Sequence, residues 1–293
     1  MSEAREASIL LTGLASAGKS TWLAALWQVF ETDGFDSVLS QPSFLGDQRY
    51  IIELNRAWSE CKNLERTPLS SPGSVAVELR SNTDELVRLN VPDLSGELFR
   101  DHWANRHWEA EFDRQVQAAD GLALMVSTLT KEGLMRREAN EVEAIEINDE
   151  PNEEVDGGSS EQEDPPEWDP KDSPSQIKLV EHLQFIALRR SQRPLKVAVL
   201  LSAWDQIREA PFELESREWL SREQPLLDQY LKANNDLFPS AVYGVSAQGG
   251  DLEKDRERLL SMNPIDRLEV VDGTQSSRDL TLPLAWLADS GNG

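Results

Sequence analysis

The stretch GLASAGKST, Gly13 to Thr21, constrains this chain more than any other part of it. It follows the apolar run SILL and precedes WLAALWQVF, in which Trp22, Leu23, Leu26, Trp27 and Phe30 recur at helical spacing. Strand, glycine turn and amphipathic helix in that order, with Gly13 placed before Gly18-Lys19-Ser20, match a phosphate-binding loop. Glycines let the backbone wrap with its N–H groups inward, and the helix that starts there adds its positive end. Gly13, Ser16, Ala17, Gly18 and Thr21 are therefore expected around phosphate oxygens. Lys19 is expected to reach the β- and γ-phosphates, and Ser20 to offer a hydroxyl to Mg²⁺.

The remaining pattern alternates short apolar runs with helical periodicity. It predicts a three-layer α/β domain around a mostly parallel sheet. Strands are expected at 8–12, 74–80, 85–91, 121–129, 195–202 and 241–246, the last taken as the final core strand. The pair SVAVELR and ELVRLNV reads as adjacent strands, one of them an antiparallel edge. Helices are expected at 19–31, 46–64, 98–119, 177–190, 215–234 and 282–289.

Residues 138–176 break the pattern, with 15 acidic residues against one lysine and several Pro, Gly and Ser. Such a segment buries too little apolar surface to offset its ordering entropy. It reads as a disordered acidic insertion in a single domain spanning 1–293, either a plain solvated loop or an acidic docking segment.

Charge and cysteine content narrow the function classes. The net charge of −24, from 53 acidic and 29 basic residues, opposes general binding to a nucleic-acid backbone. The single cysteine, Cys61, excludes an internal disulfide framework and fits a reducing compartment. No signal-peptide pattern and no membrane-length apolar run is seen, so a soluble, cytoplasmic protein is expected.

A phosphate-bound Mg²⁺ calls for a further carboxylate at a strand end. LNVPDLSGE supplies Asp93, and Gly96 follows where a backbone N–H can meet the γ-phosphate. Both residue types also suit a plain turn. VLLSAWD ends a buried strand with Asp205, and a carboxylate there can accept the N1–H and N2 hydrogens of guanine. Adenine has no donor at N1 and would leave it unpaired. After the next strand come Ser246-Ala247-Gln248, where the Ala247 N–H can meet guanine O6.

Taken in order, GLASAGKS, DLSG, SAWD and SAQ resemble the TRAFAC class of P-loop GTPases, the class of Ras-like and translation-factor G domains. Within it, GKSTWLAALW, DLSGELF and LPLAWL resemble a bacterial group of double-GTPase domains found in conflict and signalling systems. The resemblance implies GTP as ligand and Mg²⁺ as cofactor. It puts Gly13, Gly18, Lys19, Ser20 and Thr21 on the phosphate loop, and Asp93 and Gly96 on the second switch. Ser202 to Asp205, with Ser246 and Ala247, fall on the base-reading loops. Three departures stand out. Ser202 replaces an Asn or Thr that braces the loop, and Ala203 replaces a lysine whose stem covers the base. Glu97 takes a position often held by Gln or His. Trp204 is open to two roles, stacking on the base or filling the core.

For hydrolysis the resemblance implies an oriented water. Glu97 is a candidate to orient it, or else an ordinary first-turn residue favoured by the helix dipole. Its negative charge beside the triphosphate implies a low intrinsic rate. The first switch should supply a threonine for Mg²⁺ and the γ-phosphate. Thr67 is the candidate, with Ser70 and Ser71 as alternatives and Arg66 beside it. His102 and His107 read as surface or interface residues. The expected function is an Mg²⁺-dependent GTP switch with slow hydrolysis that binds a protein partner. A P-loop ATPase or small-molecule kinase, or a hydrolysis-dead scaffold, fits the same motifs.

Overall fold

Alternation along β1 (Glu6–Gly13) sends Ile9 and Leu11 into one hydrophobic cluster and Leu10 into another. The neighbouring β5 (Gly121–Ser127) and β6 (Lys196–Ser202) do the same. Leu122, Leu124, Val197 and Val199 join the Leu10 cluster, while Ala123, Met125, Ala198 and Leu200 join the other. Strands covered on both faces read as unbroken apolar runs, which is why GLALMVS and KVAVLLS were plain in the sequence. The computed structural model describes residues 6–45, 48–64, 75–92, 97–129, 173–191, 193–208 and 214–289.

One mixed sheet of nine strands organises the described chain, in the order β2-β3-β4-β1-β5-β6-β7-β8-β9. Its centre is parallel: β4 (Leu86–Val91) pairs with β1, β1 with β5, β5 with β6, and β6 with β7 (Ser240–Ser246). The two flanks are antiparallel. On one side β3 (Val75–Ser81) pairs with β4, and β2 (Leu39–Leu45) with β3. On the other, β8 (Glu269–Asp272) pairs with β7 and β9 (Gln275–Ser277) with β8. The 74–80 and 85–91 runs are thus an antiparallel pair, as expected. Neither is the edge, because β2 lies outside them. Nor is 241–246 the last strand, since β8 and β9 extend the sheet beyond it.

Helices α1 (Lys19–Glu31) and α2 (Gln48–Ser59) pack together, with Asn55 Nδ2 donating to the Ala24 carbonyl at 2.9 Å. The expected stripe on α1 is buried at Trp22, Leu23, Leu26 and Trp27 and half-buried at Phe30. Ala24, Ala25 and Val29 are buried as well, so most of the helix circumference is covered. The single helix expected at 98–119 is two, α3 (Glu97–Asn105) and α4 (Ala110–Ala118), parted at Arg106 with φ +55°. After β5 come α5 (Ser175–Arg189) and, beyond β6, the short α6 (Asp205–Arg208). The stretch at 215–234 is also two helices, α7 (Ser216–Glu223) and α8 (Pro225–Ala233), broken where Pro225 starts the second. The chain ends with α9 (Arg256–Ser261) and α10 (Leu282–Ala288).

The acidic insertion lies outside the described residues from 138 to 172. Its expected last residues do not belong with it: Ser175 and Gln176 are buried in α5, and Gln176 Oε1 accepts from the Leu226 N–H at 3.0 Å. No described helix is long and apolar enough to cross a membrane.

Candidate nucleotide-binding site

Because β1, β5, β6 and β7 are parallel, their carboxyl ends share one edge of the sheet. The register sets Gly13 beside Met125, Ser127 beside Ser202, and Ser202 beside Val245. A crevice at the carboxyl ends of such strands is where α/β sheets take ligands. Here the edge bounds a cavity of about 540 Å³. Ser16, Gly18 and Thr21 line one part of it, and Ser202, Asp205 and Ala247 another. Residues widely separated in sequence are thus gathered around one space of nucleotide size.

The phosphate loop turns through Ser16, at φ +61°, and Gly18, at φ +94°. The Ala17 N–H donates to the Leu14 carbonyl at 3.2 Å, and the Trp22 N–H to the Gly18 carbonyl at 2.9 Å. The left-handed backbone at Gly18 favours glycine, and space requires it too. A Cβ there would stand 3.1 Å from the Cβ of Ser202. Lys19, buried at 3% exposure, donates from Nζ to the Gly13 carbonyl at 2.8 Å and the Leu14 carbonyl at 3.0 Å. The ammonium therefore sits inside the curve of the loop. Ser20 and Thr21 follow it in the first turn of α1, both half-buried.

The Ser-Ala-Trp-Asp run leaves the end of β6 and turns into α6. The Ser202 hydroxyl donates to the Val126 carbonyl on the neighbouring β5 at 3.4 Å, and a Cβ on Gly18 would meet this side chain. Ala203 takes a left-handed φ of +55°, and Thr128 Oγ1 donates to the carbonyls of Ser202 and Ala203 at 2.8 and 3.1 Å. Trp204 goes into the core, 1% exposed and edge-on to Trp219. That decides between its two expected roles. Asp205 opens α6 and lines the cavity. Its Oδ2 accepts from Gln206 Nε2 at 3.0 Å, while its buried Oδ1 has no partner among the described residues.

Ser246 ends β7, and its Oγ accepts from the Gly249 N–H at 3.1 Å, closing a tight loop around Ala247 and Gln248. A contact not visible in the sequence steadies that loop: Trp58, at the end of α2, donates from Nε1 to the Ala247 carbonyl at 2.8 Å. Arg267 in turn lies over the Trp58 ring and donates to the Ser59 carbonyl at 3.2 Å. Gln248, Asn63 and Trp22 also line the cavity, and none was singled out as a ligand contact from sequence. Gln248 directly follows Ser246-Ala247, so its position was a usable signal. Trp22 carried none, because its periodicity reads only as core.

Thr67, Asp93 and Gly96 lie outside the described residues. So do the alternatives Ser70 and Ser71, and Arg66. Glu97 begins α3. β4 runs parallel to β1, so its carboxyl end lies at the same edge as the loop.

Behind the loop, His102 is buried within the chain, where a surface or interface position was expected. It packs on Phe112 at 4.7 Å and near Trp108, and its ring stacks over that of His182 at 6.5 Å. The aromatic faces of α3, α4 and α5 enclose it. His182 Nε2 lies 3.3 Å from Thr12 Oγ1, one residue before Gly13. Burial, and after it the neighbouring His102, pushes His182 down to about 3.

A glycine-bearing loop between β1 and α1, with a lysine inside its curve and a parallel sheet edge beside it, defines an α/β domain of the P-loop kind. The double-GTPase 1 family model matches residues 10–287, and the chain belongs to that family. No curated protein matches it in sequence. The resemblance to the double-GTPase group therefore holds over most of the chain, and with it comes a GTP-binding domain as the class of activity.

Proposed function

We propose that this chain is a guanine-nucleotide switch of the TRAFAC class, a single domain over residues 1–293 that binds GTP with Mg²⁺ and hydrolyses it slowly. The observation that carries this reading is Asp205 Oδ1, a buried acceptor with no described partner on the wall of the cavity that also holds the phosphate loop. Guanine offers N1–H and N2–H hydrogens to such a group. Adenine's N1 would meet it as a second acceptor.

The phosphates fit the cradle of Gly13 to Thr21, where backbone N–H groups, the start of α1 and Lys19 converge. Magnesium that travels with a nucleotide takes oxygen ligands and keeps several from phosphate and water. The donor set here suits it, with the Ser20 hydroxyl next to Lys19 and with Asp93 and Thr67 as further oxygen ligands. The ion would neutralise charge on the β- and γ-phosphate oxygens. Gly96 offers its N–H to the γ-phosphate, and Glu97 orients the attacking water. The charge of Glu97 opposes a fast reaction, so turnover is slow and the bound state persists. Its output is a protein partner in a bacterial defence or signalling system, and its setting is the cytoplasm.

Competition against a fluorescent guanine nucleotide tests the base. GTP displaces it and ATP does not, whereas equal displacement removes Asp205 as a reader. Asp205→Asn turns the acceptor towards xanthine, so xanthosine triphosphate gains on GTP in the same assay. Phosphate release with and without Mg²⁺ separates a slow GTPase from a hydrolysis-dead scaffold.

A further inference from the structure

Trp22 is 1% exposed and lies in the first part of α1, yet it is among the residues that line the cavity. Its indole nitrogen can only donate. That nitrogen is buried and has no acceptor among the described residues. A buried donor left unmet is costly, so an acceptor from a ligand is the natural complement.

Position along the helix says which part of the ligand is near. Trp22 follows Thr21 directly and lies about 6 Å of helical rise beyond Gly18. The phosphate loop forms one part of the cavity wall, and Asp205 with Ala247 another. A nucleotide whose phosphates sit on the loop and whose base reaches Asp205 carries its sugar between them, and Trp22 lines that same cavity. We propose that Trp22 Nε1 donates to a ribose hydroxyl oxygen, and that this bond makes the site discriminate against the nucleotide that lacks that hydroxyl. The proposal rests on the guanine-nucleotide reading above and adds a sugar contact to it.

Calorimetric titration of the full chain with GTP, 2′-deoxy-GTP and 3′-deoxy-GTP at millimolar Mg²⁺ tests it, alongside Trp22→Phe, which keeps a buried ring without the N–H. One deoxy analogue should bind the natural chain about tenfold more weakly than GTP. In Trp22→Phe, GTP should fall to the level of that analogue, and the analogue itself should be unchanged. The ratio of the two affinities is independent of any general loosening by the substitution. Equal affinity of the natural chain for all three nucleotides overturns the proposal. So does an equal loss for all three in Trp22→Phe, which would put the donor on the phosphates. No binding of GTP to the natural chain would instead overturn the guanine reading itself, and the sugar contact with it.

Discussion

Trp204 lies against the backbone of Gly244, so closely that a Cβ on Gly244 would come within 2.5 Å of the indole. The contact crosses from the end of β6 to the middle of β7, and the Trp204 N–H also donates to the Val245 carbonyl at 3.2 Å. It sets where the chain goes next, which is Asp205 and the cavity.

Gly244→Ala should therefore act on stability and on base reading together. Overpacking a close contact of this kind costs about 1–3 kcal/mol. Urea unfolding should show that loss, and GTP affinity should drop as Asp205 is displaced. Unchanged affinity in a destabilised variant would separate the packing from the site.

Lys19→Ala removes the ammonium that lies inside the loop curve, within reach of the Gly13 and Leu14 carbonyls. Losing one charged partner of a buried contact costs on the order of a hundredfold or more in affinity. Calorimetry should detect little or no heat with GTP while circular dichroism reports unchanged helix content.

Trp58→Phe keeps an aromatic ring but removes the donor to the Ala247 carbonyl. A buried acceptor left unmet costs about 1–3 kcal/mol of stability. Because the brace holds the base loop and not the phosphate loop, GTP should weaken while inorganic triphosphate binds as before.

His182 predicts a pH signature. Its native value of about 3 lies below the ordinary 6.5, held there mainly by burial among Phe99, Phe112 and His102. Between those values the unfolded chain takes up a proton that the native chain does not. Stability therefore falls as pH falls through that window, by about 1.4 kcal/mol per unit, and this contribution is flat above 6.5. His182→Phe should lose less stability than the natural chain on going from pH 7.5 to 5.0, by about 2 kcal/mol. Equal losses would mean His182 is protonated in the native state.

The parallel centre of the sheet was legible because doubly covered strands must be apolar throughout, as in KVAVLLS. The turn between β1 and α1 and the place of Asp205 after β6 were legible because each follows directly on an apolar strand run. The flanks were harder. β2, LSQPSFL, has a proline and no clean alternation, and its ladder shifts register between Ser40 and Ser43. β8 and β9 are joined by the two-residue loop Gly273-Thr274, with Gly273 at φ +55° in the first position, where such a hairpin favours glycine. The burial of His102 could not be read, because part of its cover is His182 on α5, far along the chain. The Trp58 brace on Ala247 spans 189 residues, and nothing local announces it.

Both borders of the nine-stranded sheet are poor templates for another chain. One ends in β2, with Pro42 and its broken register, and the other in β9, only three residues long. Open ladders invite accretion, and short or interrupted ones resist it. A molecule that docks here has to recognise the helices and loops by their side chains, since neither flank lets it join the sheet as a further strand.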